Sequence, residues 1–241
     1  GLLMQAFDSL SRDIQQYIYD KGWPSLTHIQ NAAIKQVANT DHNLILSAPT
    51  ASGKTEAAFI PALNSVEDWE TGLKVLYISP LKALINDQFH RISELSEYLD
   101  IPITRWHGEV SQAQKKKVVN QPKGVLLITP ESIEGMLVNR PGEAQHLFKG
   151  VEWIIIDELH SFLGTERGIH LQSLLQRISR FMQAPRFIAM SATLNKKDFG
   201  YAKAFFGSPR HTDILVDRVK NDLLITIDYT SGESGPFVAR E

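Results

Sequence analysis

Leu44-Ile45-Leu46-Ser47-Ala48-Pro49-Thr50-Ala51-Ser52-Gly53-Lys54-Thr55-Glu56-Ala57-Ala58-Phe59 joins a short apolar run to a helical one through a single polar loop. Apolar residues in succession mark a strand covered on both faces, and such strands belong to parallel sheets. In a strand–loop–helix setting, backbone N–H groups of the loop and of the helix start point at the β- and γ-phosphates of a nucleotide. Gly53 lets the backbone approach closely. Lys54 adds a point charge, and the Thr55 hydroxyl is suited to ligating Mg²⁺. Thr50, Ala51, Ser52, Gly53, Lys54 and Thr55 are therefore candidate nucleotide-binding residues. The loop departs from the general pattern at its first position, where Ala48 replaces a glycine, a change a negative φ accommodates.

The same alternation continues outward. Val75 to Ile78, Ile101 to Trp106, Val125 to Ile128, Trp153 to Ile156 and Phe187 to Met190 are further candidate strands, each followed by a helical candidate. Repeated βα units predict an α/β fold: three layers, a mostly parallel sheet with helices on both faces. Before it, Leu10, Ile14, Tyr17 and Ile18 share a helical face that Gly22 ends. Thr27 opens a second helix with capping-box spacing to Gln30. Leu223 to Tyr229 alternates like a strand, and Ser231 to Pro236 has linker composition. The expected organisation is one domain over 1–230, its N-terminal helices within 1–40, and a linker or tail over 231–241.

Bulk properties narrow the class. Of 241 residues, 43% are hydrophobic and 22% charged, with a net charge of −2, so any nucleic-acid surface must be local. The charge run Lys115-Lys116-Lys117 reads as a solvated helix face. With no cysteine, disulfides, thiolate zinc sites and thiol nucleophiles are excluded. No H-E-x-x-H spacing suggests zinc either. No apolar run nears the roughly 20 residues of a membrane span. Gly1-Leu2-Leu3-Met4 lacks the basic-then-apolar order of a signal peptide. A cytoplasmic location is expected.

The apolar run Val151 to Ile156 ends in Asp157-Glu158-Leu159-His160. Carboxylates at the C-terminal end of a buried parallel strand stand beside the ligand crevice of an open sheet. Phosphoryl transfer needs charge neutralisation and an aligned water. Asp157 would hold Mg²⁺ and Glu158 would orient and deprotonate the attacking water, making Lys54, Asp157 and Glu158 candidate catalytic residues.

These residues resemble the superfamily 2 helicases of the DEAD/DEAH-box type, with the fold of a RecA-like P-loop NTPase domain. Asp157 to His160 is similar to motif II, which implies that His160 joins the catalytic set, and Ser191-Ala192-Thr193 is similar to motif III, which implies coupling of hydrolysis to strand movement. Pro80-Leu81-Lys82, within Ser79 to Leu84, is similar to motif Ia, Thr129-Pro130-Glu131 to motif Ib, and His107-Gly108 to the short glycine motif between them. Ala51 departs from the glycine many such helicases carry. Ile78 to Leu84, and motif II running on to Arg167-Gly168-Ile169-His170-Leu171, resemble the long helicase-related (Lhr) group, with Ski-like helicases as the nearest alternative.

The resemblance implies ATP and Mg²⁺ as cofactors, 3′-to-5′ movement on single-stranded DNA or RNA, and a second RecA-like domain supplying arginine fingers. Too few residues follow Thr193 to build that domain here. It also implies that Gln30, in a stretch similar to the Q motif, reads adenine; its capping-box role is the other reading. Motifs Ia and Ib, with Lys82 or Arg105, would hold sugar-phosphate backbone. Trp106 is open between base stacking and the core, and His107 between ligand and structural roles. Against the motor stands a nucleotide-gated binding or scaffolding module. The water-activating Glu158 favours the motor.

Overall fold

The computed structural model describes residues 6–219 and 225–230. The expected tail at 231–241, the start Gly1 to Met4 and Leu223 lie outside them. The described strands are β1 (Asn43–Ser47), β2 (Gly72–Ile78), β3 (Ile103–Trp106), β4 (Lys123–Ile128), β5 (Trp153–Ile156), β6 (Arg186–Ser191), β7 (Thr212–Val219) and β8 (Ile225–Thr230). They form one sheet in the order β3-β4-β2-β5-β6-β1-β7-β8. The first seven pair in parallel, and β8 runs antiparallel to β7. The expected mostly parallel sheet is thus the observed one.

Helices cover both faces. They are α1 (Arg12–Asp20), α2 (His28–Asn39), α3 (Lys54–Ser65), α4 (Lys82–Tyr98), α5 (Gln112–Asn120), α6 (Pro130–Asn139), α7 (Pro141–Phe148), α8 (Glu166–Ser179) and α9 (Phe199–Ala204). Side chains alternate across a strand, so each strand feeds two cores. Leu44, Leu46, Val75, Tyr77 and Ile155 pack with α1 to α4. Ile45, Leu76, Ile78, Ile154 and Ile156 pack with α6 to α9. Burial on both sides explains the unbroken apolar runs.

The N-terminal helices form as their caps require. Ser11 accepts from the Ile14 amide and Ile14, Tyr17 and Ile18 are buried. Gly22 takes φ +71° beyond the helix end. Thr27 and Gln30 complete the capping box of α2.

β7 is the strand that apolar runs do not predict, because Asp213 and Asp217 interrupt it, both almost fully buried. Asp213 Oδ2 accepts from Gln36 Nε2 at 2.5 Å and meets His42 Nδ1 at 2.6 Å, while His211 Nε2 stands 3.2 Å from the buried Oδ1 without hydrogen-bond geometry. Direct contact between imidazole and carboxylate closes this cluster as a staple between α2, β1 and β7. It stands at the N-terminal ends of β1 and β7, opposite the phosphate loop.

The C-terminal ends of the parallel strands carry the predicted motifs side by side. From β3 across β4, β2, β5, β6 and β1 they are His107-Gly108, Thr129, Ser79-Pro80, Asp157, Ser191 and Ala48. Ligands of open α/β sheets bind along such an edge.

Candidate nucleotide and nucleic-acid site

The phosphate loop leaves β1, turns through a 3-10 segment at Thr50–Ser52 and enters α3 at Lys54. Gly53 makes that entry with φ +78° and ψ +27°, a left-handed conformation that glycine adopts freely. A Cβ there would stand 2.7 Å from Gln30 Nε2, a side-chain end free to shift, so the left-handed φ is what selects glycine. Ser52 Oγ donates to Pro49 O at 2.7 Å and tightens the turn.

Lys54 Nζ donates to Ala48 O and Ser191 O, both at 2.9 Å. Its ammonium thus ties the first residue of the loop to motif III. Burial lowers the Lys54 pKa, while the charges of Glu158 and Asp157 oppose the shift. The amide of Ala48 also donates to Ser191 O, at 3.1 Å.

Gln30 is 3% exposed. Its Oε1 accepts from the Thr27 amide at 3.0 Å, and its Nε2 donates to Gly53 O at 3.3 Å. One amide therefore closes the α2 cap and touches the phosphate loop, so the capping reading holds, with a second contact that sequence reading did not foresee.

Asp157, 5% exposed, directly follows β5. Its Oδ2 accepts from the Tyr77 hydroxyl and from Gln88 Nε2 at 3.4 Å, and its Oδ1 from the Glu158 amide at 2.8 Å. Burial raises its pKa, with the Glu158 charge adding to the shift and these hydrogen bonds pulling it back. Burial, then the Asp157 charge, pushes Tyr77 well above its usual value, which keeps it a donor. Gln88 Nε2 also donates to Thr55 Oγ1 at 3.2 Å. The Thr55 hydroxyl and the Asp157 carboxylate, on different elements, thus face one donor. An all-oxygen pair with a buried, unpartnered amide oxygen at Gln88 beside it fits a hard, hydrated Mg²⁺.

Glu158 holds a left-handed backbone, φ +53° and ψ +44°, a conformation that costs a non-glycine residue about 1–2 kcal/mol. Such strain clusters at functional sites. His160 links it to motif III. The Ala192 amide donates to His160 Nδ1 at 2.9 Å, so the ring proton lies on Nε2, facing Glu158 Oε2 at 2.9 Å. Ser191 Oγ lies 3.4 Å from Nδ1, and the Leu194 amide returns to Ser47 Oγ at 2.8 Å. Thr193 is exposed in this loop.

The other edge gathers the remaining candidates. Leu81 is 56% exposed, and Lys82 pairs with Glu109 at 2.5 Å, joining motif Ia to the His107-Gly108 loop. Nothing lies within 4 Å of a Cβ placed on Gly108. His107 is 5% exposed; its Nδ1 accepts from the Glu109 amide and its Nε2 faces Asn86 Oδ1. Burial lowers its pKa, which favours the neutral ring. Trp106 is buried in the second core and so unavailable for stacking. Arg105 lies 4.2 Å over the Phe89 ring and donates to Asn86. Thr129 caps α6 through the Ser132 amide, Pro130 opens that helix, and Glu131 pairs with Arg167 at 2.7 Å.

Sequence reading missed Tyr77, Gln88 and Arg167 as parts of this site. Gln88 had a signal: with Ile85, Ile92 and Leu95 it follows helical spacing, a polar residue on an apolar stripe.

A family model for DEAD/DEAH box helicases matches residues 27–199. The chain belongs to the DEAD/DEAH box helicase family. This helicase domain is 29% identical to the ATP-dependent helicase Lhr-Core of Methanocaldococcus jannaschii, over 92% of this chain and 28% of that protein. It is 31% identical to the Lhr helicase/uracil glycosylase of Escherichia coli, over 89% of this chain and 15% of the relative. The structure of Mycobacterium smegmatis helicase Lhr bound to ssDNA and AMP-PNP superposes with TM-score 0.75 and 27% identity, covering 87% of this chain and 28% of that one. The DEAD-box helicase Mss116 bound to ssRNA shares the fold at TM-score 0.76 and 20% identity, over 88% of this chain and 44% of that one. The helicase domain thus spans under a third of its Lhr relatives.

Proposed function

We propose that this domain is the ATP-binding half of a motor that moves 3′-to-5′ along single-stranded DNA or RNA, with the phosphates seated on Thr50 to Thr55. The observation that carries this is the adjacency of β5, β6 and β1, whose C-terminal ends present Asp157, Ser191 and Ala48 in a row. Glu158 orients the attacking water and takes its proton. His160 transmits the state of Glu158 to Ser191, Ala192 and Thr193. The strand runs past Pro80, Leu81, Lys82, His107, Gly108, Thr129, Pro130 and Glu131, held by its backbone. Gln30 has a second amide hydrogen and a second lone pair for the adenine edge. Residues 1–230 form the domain and 231–241 a linker or tail. The Lhr structure bound to ssDNA and AMP-PNP supports the ligand classes. No helix among the described residues is long and apolar enough to cross a membrane, and a cytoplasmic setting is a separate part of the proposal.

Nucleotide titration and single-turnover hydrolysis test it. Lys54→Ala should weaken ATP binding at least ~10-fold, the loss of one charge-assisted contact. Glu158→Gln should keep affinity within ~3-fold and slow hydrolysis ~10²–10⁴-fold, the scale of general-base catalysis. Wild-type hydrolysis by Glu158→Gln would overturn the assignment.

A further inference from the structure

The Arg167-Gly168 pair has no role in the reading above, and its placement is unusual. Arg167 lies in the first turn of α8, where the helix dipole disfavours a cation. Gly168 is there because a Cβ would stand 1.8 Å from Phe162 O. Its amide is capped by Thr165 Oγ1 at 3.0 Å, and Thr165 in turn donates to Phe162 O at 2.9 Å. The start of α8 is therefore pressed onto the turn that follows Asp157 to His160. From that seat Arg167 Nη2 donates to the carbonyl of Pro80 and to Glu131 Oε1 at 2.7 Å, and Nε reaches the same carboxylate at 3.2 Å. The guanidinium stands 5.7 Å from the centre of the Phe162 ring.

We propose that Arg167 is a positioning residue that locks motif Ia, motif Ib and the turn behind the catalytic carboxylates into one unit, a role that rests on those two loops holding the strand. An isolated, half-exposed ion pair contributes little. A guanidinium fork that spans a backbone carbonyl and a carboxylate on two loops fixes geometry instead, and a lysine ammonium has no such fork. Pro80 and Pro130 have no N–H, so beyond the Ser79 amide, which donates to Ile128 O at 3.1 Å, these two positions offer no backbone donor to hold the loops together.

The test uses this chain, fluorescent oligo-dT and oligo-rU, and a fluorescent ATP analogue, with affinity measured against salt. Arg167→Ala and Arg167→Lys should each weaken strand binding ~5–20-fold with an unchanged salt slope and nucleotide affinity within ~2-fold. Glu131→Gln, at a surface carboxylate that does not endanger folding, should give part of that loss. The double variant should be no worse than Arg167→Ala, because the two act as one pair. Strand affinity within ~2-fold of wild type for Arg167→Lys and Glu131→Gln would overturn the proposal. So would a salt slope lowered by ~0.7, the mark of a direct phosphate contact. Absence of strand binding by the wild-type chain would instead overturn the strand-surface reading, and this role with it.

Discussion

The Gln88 amide donates to Thr55 Oγ1 and Asp157 Oδ2, the two oxygens proposed to face Mg²⁺, while its own Oε1 is buried without a hydrogen-bond partner. A buried orphan acceptor is costly, and a metal-bound water is a donor that would satisfy it. Gln88→Ala should therefore lower nucleotide affinity ~5–20-fold in Mg²⁺ and leave affinity in chelator within ~2-fold, a loss of one to two hydrogen bonds. Titration of a fluorescent ATP analogue under both conditions measures this. An equal loss in chelator would show that Gln88 supports the loop and not the metal. Gln30 teaches the complementary point. Its capping role was legible because a capping box is written in four consecutive residues, whereas its contact with Gly53 joins positions far apart in sequence.

At the scale of elements, strands with unbroken apolar runs were legible because burial on both faces leaves no room for alternation. β7 was not, since its buried acids look like surface residues until their partners are known. Asp213 has two such partners on its Oδ2. Asp217 Oδ1 has none among the described residues, and burial lifts its carboxyl from an ordinary 3.8 to about 6, with His28 opposing. A folded-state pKa above the unfolded one means the native state binds the extra proton. The carboxylate therefore costs stability that grows as pH rises from about 4 to 6 and is fully felt above that. Asp217→Asn should stabilise the domain by roughly 2 kcal/mol at pH 7.5, discounted from the two-unit shift, and by much less at pH 4.5. Thermal or urea unfolding of both proteins at the two pH values measures the difference. An equal gain at both would mean that the carboxylate is not the source. The Arg167 clamp was illegible for a related reason: its motif was visible, but its targets belong to β2 and β4 loops that only the strand order brings beside α8.

For the whole molecule, the decisive fact is that every candidate group lies along one open edge of a single sheet. Glu158 and His160 are partly or fully exposed there, and Lys54 is held by two carbonyls of its own chain. Lys54 is the cation that the Thr50 to Thr55 loop itself provides. Arginine fingers contribute ~10³–10⁵ in rate to related phosphoryl transfers, and in this family the resemblance implies that they come from a second motor domain. The domain covers only 28% of the Lhr-Core relative, so such a partner has ample room in proteins of that length. The 241-residue chain alone should then bind ATP, hydrolyse it ~10³-fold or more below a two-domain motor, and leave duplexes intact. Multiple-turnover ATPase and strand-displacement assays, run with and without single strands, are the measurement. Strand addition should not restore fast turnover, because a strand cannot replace a missing cation. Efficient unwinding by the isolated chain would mean that this edge completes its own catalytic site, and the half-cleft account of Glu158 and Lys54 would have to be abandoned.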